Sequence, residues 1–199
     1  MKEDQVPEQC VSCSYYDQAG PENTERTLAL AGARASQLGI GFIVVASTTG
    51  ETGLKAVNRL SAPGREIVVV SHSTGFAAPN EQELTKENRA AIEAAGGVVL
   101  TAQHALGGLN RAIRRKLGTY QIDEIVAYVL RSFGQGIKVA CEITAMAADA
   151  GLVPAGEEVI AIGGTGRGAD TAALLLSANV QDFFDLRVLE VLCKPRAWN

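Results

Sequence analysis

The stretch GFIVVASTTGETGLKAVNRLSAPGREIVVVSHSTGF, residues 41–76, holds two apolar runs with a helical pattern between them. Residues 41–46 (GFIVVA) and 66–70 (EIVVV) are continuous and rich in β-branched side chains, as strands buried on both faces are. Residues 54–60 between them read as a helix. A small polar loop follows each strand, residues 47–53 after the first and 71–76 after the second. The alternation continues outward in both directions. Toward the N-terminus, residues 22–38 place Leu28, Ala31, Ala35 and Leu38 at helical spacing. Asn23 or Thr24 is the expected cap of that helix, and Gly39 ends it. Residues 17–21 are a turn, and residues 11–16 (VSCSYY) a short strand. Toward the C-terminus come a helix over 81–95, a strand over 98–101 and helical pieces over 109–117, 122–133 and 137–150. A buried strand over 158–162 (EVIAI) follows, then the ambiguous residues 172–178 and an alternating strand near an edge over 186–193. Buried strands separated by amphipathic helices imply an α/β fold, with helices on both faces of a mostly parallel sheet.

Composition narrows the function. The 199 residues are of a length for one domain spanning 1–199. Hydrophobic residues are 47% and charged residues 20%, which excludes disorder and coiled coil. A net charge of −4 supplies no broad positive field, so neither nucleic acid nor an anionic membrane is an expected partner. Aromatics at 5% leave few platforms for stacking bases. The opening MKEDQVPEQC has no apolar core of a leader, and no apolar run approaches the roughly 18 residues of a membrane span. Four cysteines make no disulfide framework, so the expectation is a cytoplasmic, reduced protein. Cys10 and Cys13 form a CxxC pair without a second pair to complete a zinc site, so no metal is expected. Assembly into a homo-oligomer stays open.

In a sheet of this kind ligands bind beyond the carboxyl ends of the strands. That rule selects the loops after Ala46, Val70, Thr101 and Ile162, with the start of the helix from Glu22 on the same side. The first loop carries hydroxyls at Ser47, Thr48, Thr49 and Thr52, with Gly50 and Glu51 between them at a helix N-terminus. Exposed amides and the positive end of a helix dipole favour phosphate there, although a cap alone needs one hydroxyl. The last loop runs Gly163, Gly164, Thr165, Gly166, Arg167, Gly168, Ala169, Asp170, Thr171. Its glycines let successive amides curl into an anion nest, and Arg167 adds a planar fork for phosphate; a tight glycine turn is the other reading. It lacks the GK[ST] ending of a P-loop and the position of a dinucleotide fingerprint. The two histidines, His72 and His104, both fall in selected loops. Each has the chemistry to bond a ligand, to move a proton near neutral pH, or to cap a strand end. Arg111, Arg114 and Arg115 share a helical face beside Lys116, which is more often a solvated face than a ligand site.

The segments ENTERTLALA from Glu22, VVASTTGETG from Val44, EIVVVSHSTGF from Glu66, HALGGLNRAIRRKLG from His104, EITAMAADAG from Glu142 and GGTGRGADTA from Gly163 occur in a telling order. Together they resemble the stand-alone proteins similar to the C-terminal α/β domain of pyruvate kinase. The likeness runs from about Tyr15 to Arg196. It implies a three-layer α/β/α sandwich with a mixed sheet. It also implies a strand over 171–177, where Ala and Leu by propensity would favour helix. In pyruvate kinase this domain holds a phosphorylated sugar effector between a Thr/Ser loop and a glycine-rich loop. The positions that look equivalent are Ser47 to Thr52 and Gly163 to Thr171. The stand-alone family is associated with flavin mononucleotide (FMN). The resemblance implies that such a ligand rests its phosphate on these loops, near Asn23 and Thr24. Its ring would lie near His72, Gly75, Phe76 and His104, in the loop that also holds Ser71, Ser73 and Thr74. The likeness covers no part of the barrel that carries kinase chemistry, and residues for divalent-metal phosphoryl transfer are not evident. The expectation is therefore a binding protein for a phosphorylated small molecule, not a pyruvate kinase. An enzyme using His72 or His104, or a regulatory subunit, are the alternatives.

Overall fold

The computed structural model describes residues 8–197. In chain order its elements are β1 (Ser14–Tyr16), α1 (Thr24–Leu38), β2 (Phe42–Ala46), α2 (Glu51–Leu60), β3 (Glu66–Ser71), α3 (Lys86–Ala94), β4 (Val98–Thr101), α4 (Gly108–Leu117), α5 (Ile122–Arg131), α6 (Gln135–Asp149), β5 (Glu158–Gly163), β6 (Thr171–Leu176) and β7 (Arg187–Pro195). The strands form one seven-stranded sheet in the order β1-β7-β6-β5-β2-β3-β4. β5, β2, β3 and β4 are parallel neighbours, and β6 runs against both β5 and β7.

The β-branched runs explain the layering. Side chains alternate across a strand, so a continuous apolar strand must be covered on both faces. Ile43, Val45, Ile67, Val69, Ile160 and Ile162 pack with α1, α2 and α3 through Leu28, Val57 and Ile92. Val44, Val68, Val159 and Ala161 pack on the other side with Ile137, Cys141, Ile143 and Met146 of α6. The chain is thus the expected α/β/α sandwich with a mixed sheet.

The differences from the expected element bounds have local causes. The helix expected over 81–95 starts only at Lys86, because the Thr85 hydroxyl caps it by accepting from the Asn88 amide at 3.1 Å. Residues 81–84 instead turn back toward the loop after β3, with Gly75 N donating to Glu81 O at 2.8 Å. The helix expected from residue 54 begins three residues earlier, at Glu51, capped by Gly50. A short 3-10 turn, Pro21–Asn23, precedes α1. Residues 171–176 are a strand despite their helical propensity, since β6 is paired on both sides and almost wholly buried. β7 is covered at its far end by β1, with Ser14 opposite Cys193.

Among the described residues no helix is long and apolar enough to cross a membrane, and no three His, Cys, Asp or Glu side chains are placed to hold a metal. The first seven residues of the opening segment, read as carrying no leader, lie outside the described residues. The cysteines split by environment. Cys10 is exposed and Cys13 half-buried, whereas Cys141 and Cys193 are buried. Burial pushes the Cys141 thiol up to about 12 and raises that of Cys193 as well. Since the thiolate is the reactive form, native protein should release two thiols to an alkylating reagent at neutral pH and the other two only on unfolding. Labelling followed by peptide mass spectrometry checks this; early modification of Cys141 would contradict the packing.

Candidate functional site

The parallel strands end on one edge of the sheet, and their following loops meet there around a cavity of about 620 Å³. Its walls include Ser47, Thr48, Thr49, Glu51 and Thr52 after β2, and Gly164, Gly166, Arg167 and Gly168 after β5. His72, Phe76 and Glu83 close one side, and Gln135 and Val139 at the start of α6 the other. A volume of this size is within the range of about 300–1,000 Å³ usual for small-molecule sites.

Each loop is held from outside the cavity. Ser47 is buried; its Oγ accepts from the Gly53 amide at 3.0 Å, satisfying one of the orphan amides at the start of α2. The Thr49 carbonyl accepts from Asn88 Nδ2 at 2.9 Å, which ties the loop to the first turn of α3. Thr48, Glu51 and Thr52 remain at the cavity wall with the start of α2, where the helix dipole is positive.

The glycine loop is organised by Asp170, which is fully buried. Its Oδ2 accepts from the amides of Thr165 at 3.0 Å and Gly20 at 3.2 Å, and its Oδ1 from the Thr171 hydroxyl at 2.8 Å. Thr24 Oγ1 accepts from the Ala169 amide at 3.0 Å. Gly168 has φ +72°, and a Cβ there would stand 2.4 Å from Pro21 Cα. The loop is therefore docked against the entry to α1. The tip between these anchors, Thr165 to Arg167, is exposed.

These contacts sort the residues singled out in the sequence. Ser47, Thr48, Thr49, Glu51, Thr52, His72, Phe76, Gly164, Gly166, Arg167 and Gly168 come together around the cavity. Gly50 caps α2, and Thr24, Ala169, Asp170 and Thr171 form the support behind the glycine loop. Gly163 ends β5, and a Cβ on it would lie 2.7 Å from the Gly136 carbonyl of α6. Asn23 sits at the start of α1, but its Nδ2 donates to Gln18 O at 2.8 Å. Thr74 Oγ1 accepts from Gln82 Nε2 at 3.2 Å, while Ser73 and Gly75 line a neighbouring groove. Ser71 shares a 2.7 Å hydrogen bond with Thr101 and lines a chamber of about 60 Å³ behind the main cavity, together with His104.

The two histidines are brought together with Phe76. The His72 and Phe76 ring centroids are 4.0 Å apart, Phe76 and His104 stack at 4.9 Å, and the histidines lie 5.3 Å apart. Both rings have a carboxylate at Nδ1: Glu83 Oε2 at 2.7 Å from His72, and Glu142 Oε2 at 3.7 Å from His104. Glu142 is buried on α6, paired with the buried Lys138 one turn earlier, and its Oε1 accepts from the Leu106 amide at 3.0 Å. Burial alone would raise the Glu142 carboxyl. The neighbouring His104 ring and the Lys138 ammonium outweigh it and bring the group down to about 2.

Glu83, Gln135, Lys138 and Glu142 were not singled out from the sequence. For Lys138 and Glu142 a signal exists: two opposite charges four residues apart inside the apolar run 137–148. Gln135 and Glu83 carry no local signal. The basic helix has no buried residue, and Arg115 and Lys116 are exposed as its pattern suggests. Arg114 pairs with Glu124 at 2.6 Å and lies 5.4 Å from the Tyr120 ring centroid, fastening α4 to α5.

A sequence model of the pyruvate kinase alpha/beta domain matches residues 25–175. Among solved structures, a pyruvate kinase from Cryptosporidium parvum is similar at 13% identity and a TM-score of 0.40, covering 78% of this chain and 23% of that one. A second Cryptosporidium parvum pyruvate kinase structure is similar at 13% identity and a TM-score of 0.38, covering 87% of this chain and 24% of that one. The chain spans about a quarter of the length of these pyruvate kinases.

Proposed function

The chain belongs to the family of the pyruvate kinase alpha/beta domain, and from that premise we propose that it binds a phosphorylated small molecule, FMN first among the candidates. The observation that carries the reading is the convergence of two phosphate-suited loops on one 620 Å³ cavity. One brings hydroxyls and a helix N-terminus; the other brings a glycine-rich turn and Arg167, the single Lys or Arg among the lining residues. FMN suits this arrangement on both ends. Its phosphate matches Thr48, Thr52 and Arg167, and its flat ring matches the wall of His72 and Phe76. When bound, the flavin would supply electron-transfer chemistry that none of the lining side chains has. A second reading, an enzyme, is favoured by the Glu83 carboxylate held at Nδ1 of His72, the arrangement that fixes a histidine's orientation for proton transfer.

Purification without added ligand tests the proposal. The expected result is a yellow protein that releases a compound with the mass of FMN on denaturation. A colourless protein that releases a sugar phosphate would retain the phosphate site and remove the flavin. A wild type with no affinity for FMN or any sugar phosphate would overturn both.

A further inference from the structure

Phe76 has a second side. Beyond it, between the loops after β3 and β4 and the helix α4, lies a groove of about 420 Å³. Its lining includes Arg111, Arg115 and Lys116 together with Gln103 and His104, and contains no Asp or Glu. We infer that this groove is a second anion site, distinct from the glycine-loop cavity, and that it takes a small molecule bearing a multiply charged phosphate group, such as a diphosphate.

Two observations lead there. First, these cations lack counterions. Among the described residues no carboxylate lies within 4.0 Å of Arg111, Arg115 or Lys116, and all three line one groove. α4 itself contains no acidic residue, in a chain whose net charge is −4. Second, helix electrostatics explains only part of the cluster. Arg115 and Lys116 in the last turn complement the dipole, but Arg111 stands in the first half, where the dipole opposes a cation. It is held there over Phe76, 4.8 Å from the ring centroid, which keeps its guanidinium at the groove. Cations with no carboxylate to neutralise them are what an anion site has before its ligand supplies the acceptors. Two arginine forks and an ammonium in one groove suit adjacent phosphate groups better than one.

The site does not depend on the FMN reading, because the two cavities share only Phe76 among their lining residues. The probe is inorganic pyrophosphate, titrated by calorimetry at low salt against wild type, Arg115→Ala/Lys116→Ala and Arg167→Ala. Arg115 and Lys116 are exposed and unpaired, so the double variant should fold, which circular dichroism checks. The expected result is at least about tenfold weaker pyrophosphate binding in the double variant, with binding largely kept in Arg167→Ala. Equal affinity in wild type and the double variant would overturn the inference. So would a loss confined to Arg167→Ala, which would place all anion affinity in the first cavity. Tighter binding of a short single-stranded oligonucleotide than of pyrophosphate, lost in the double variant, would overturn the small-molecule assignment.

Discussion

Arg167→Ala should weaken FMN binding by roughly ten- to a hundred-fold while leaving the melting temperature unchanged. A hydrogen bond to a charged group contributes about 1.5–3 kcal/mol, and each 1.4 kcal/mol is about a tenfold change in affinity. Arg167 is exposed at the tip of the glycine loop and has no carboxylate within ion-pair distance among the described residues. Removing it therefore subtracts from the ligand and not from the fold. Gly166→Val should be as harmful by a different route. Gly166 has φ +86°, and a Cβ there would meet nothing within 4 Å, so the substitution introduces no clash. What it introduces is a β-branched residue in a left-handed conformation, which would redirect the amides of the loop tip. Affinities from fluorescence titration, with melting curves for both variants, check the pair. Unchanged affinity in Arg167→Ala would remove the phosphate from the glycine loop.

Glu142→Ala is expected to have the largest effect on stability, about 3–5 kcal/mol. Removing one partner of a buried ion pair leaves the other charged and unpaired in the interior. Lys138 and Glu142 are 5% and 4% exposed, so neither can turn to water cheaply. Converting both, as Lys138→Met/Glu142→Leu, should cost less than Glu142→Ala alone, since no charge is then stranded. Acid provides an independent check. The Glu142 carboxyl is lowered in the folded chain from its ordinary 4.5 to about 2. A depressed folded value means the stabilisation is complete above the unfolded value and is lost as pH falls from 4.5 toward 2. Glu142→Gln should lose that part of the acid dependence. Urea unfolding of these variants at neutral pH and along the acid range measures both effects. A Glu142→Ala variant as stable as wild type would contradict the buried pair.

The layers and most of the strands were legible because a strand buried on both faces writes itself as a run of β-branched residues. Residues 42–46, 66–71 and 158–163 are of that kind. β6 was legible only through the family resemblance. TAALLL has the composition of a helix, and it is a strand because β5 and β7 flank it and hydrogen-bond it on both sides. The loops that line the cavity were legible from the rule that parallel strands present their carboxyl ends to ligands. What supports those loops was not. Asp170 reads in the sequence as one more polar residue of the glycine loop, yet its carboxylate is spent on Gly20, Thr165 and Thr171. Gly20 lies 150 positions away in sequence, and only the closed fold shows that contact. The same holds for Arg114, whose partner Glu124 sits on the next helix. Glu83 was hidden because residues 81–85 look helical and instead fold back toward His72.

The central claim is that the cavity between the Ser47 loop and the Gly163 loop holds a phosphate. The most direct measurement is the affinity of the wild-type protein for FMN and for riboflavin, which share a ring and differ in the phosphate. The account predicts FMN binding at least about tenfold tighter, a preference that shrinks in Arg167→Ala as the charged contact is removed. Equal affinity for the two flavins in the wild type would contradict it.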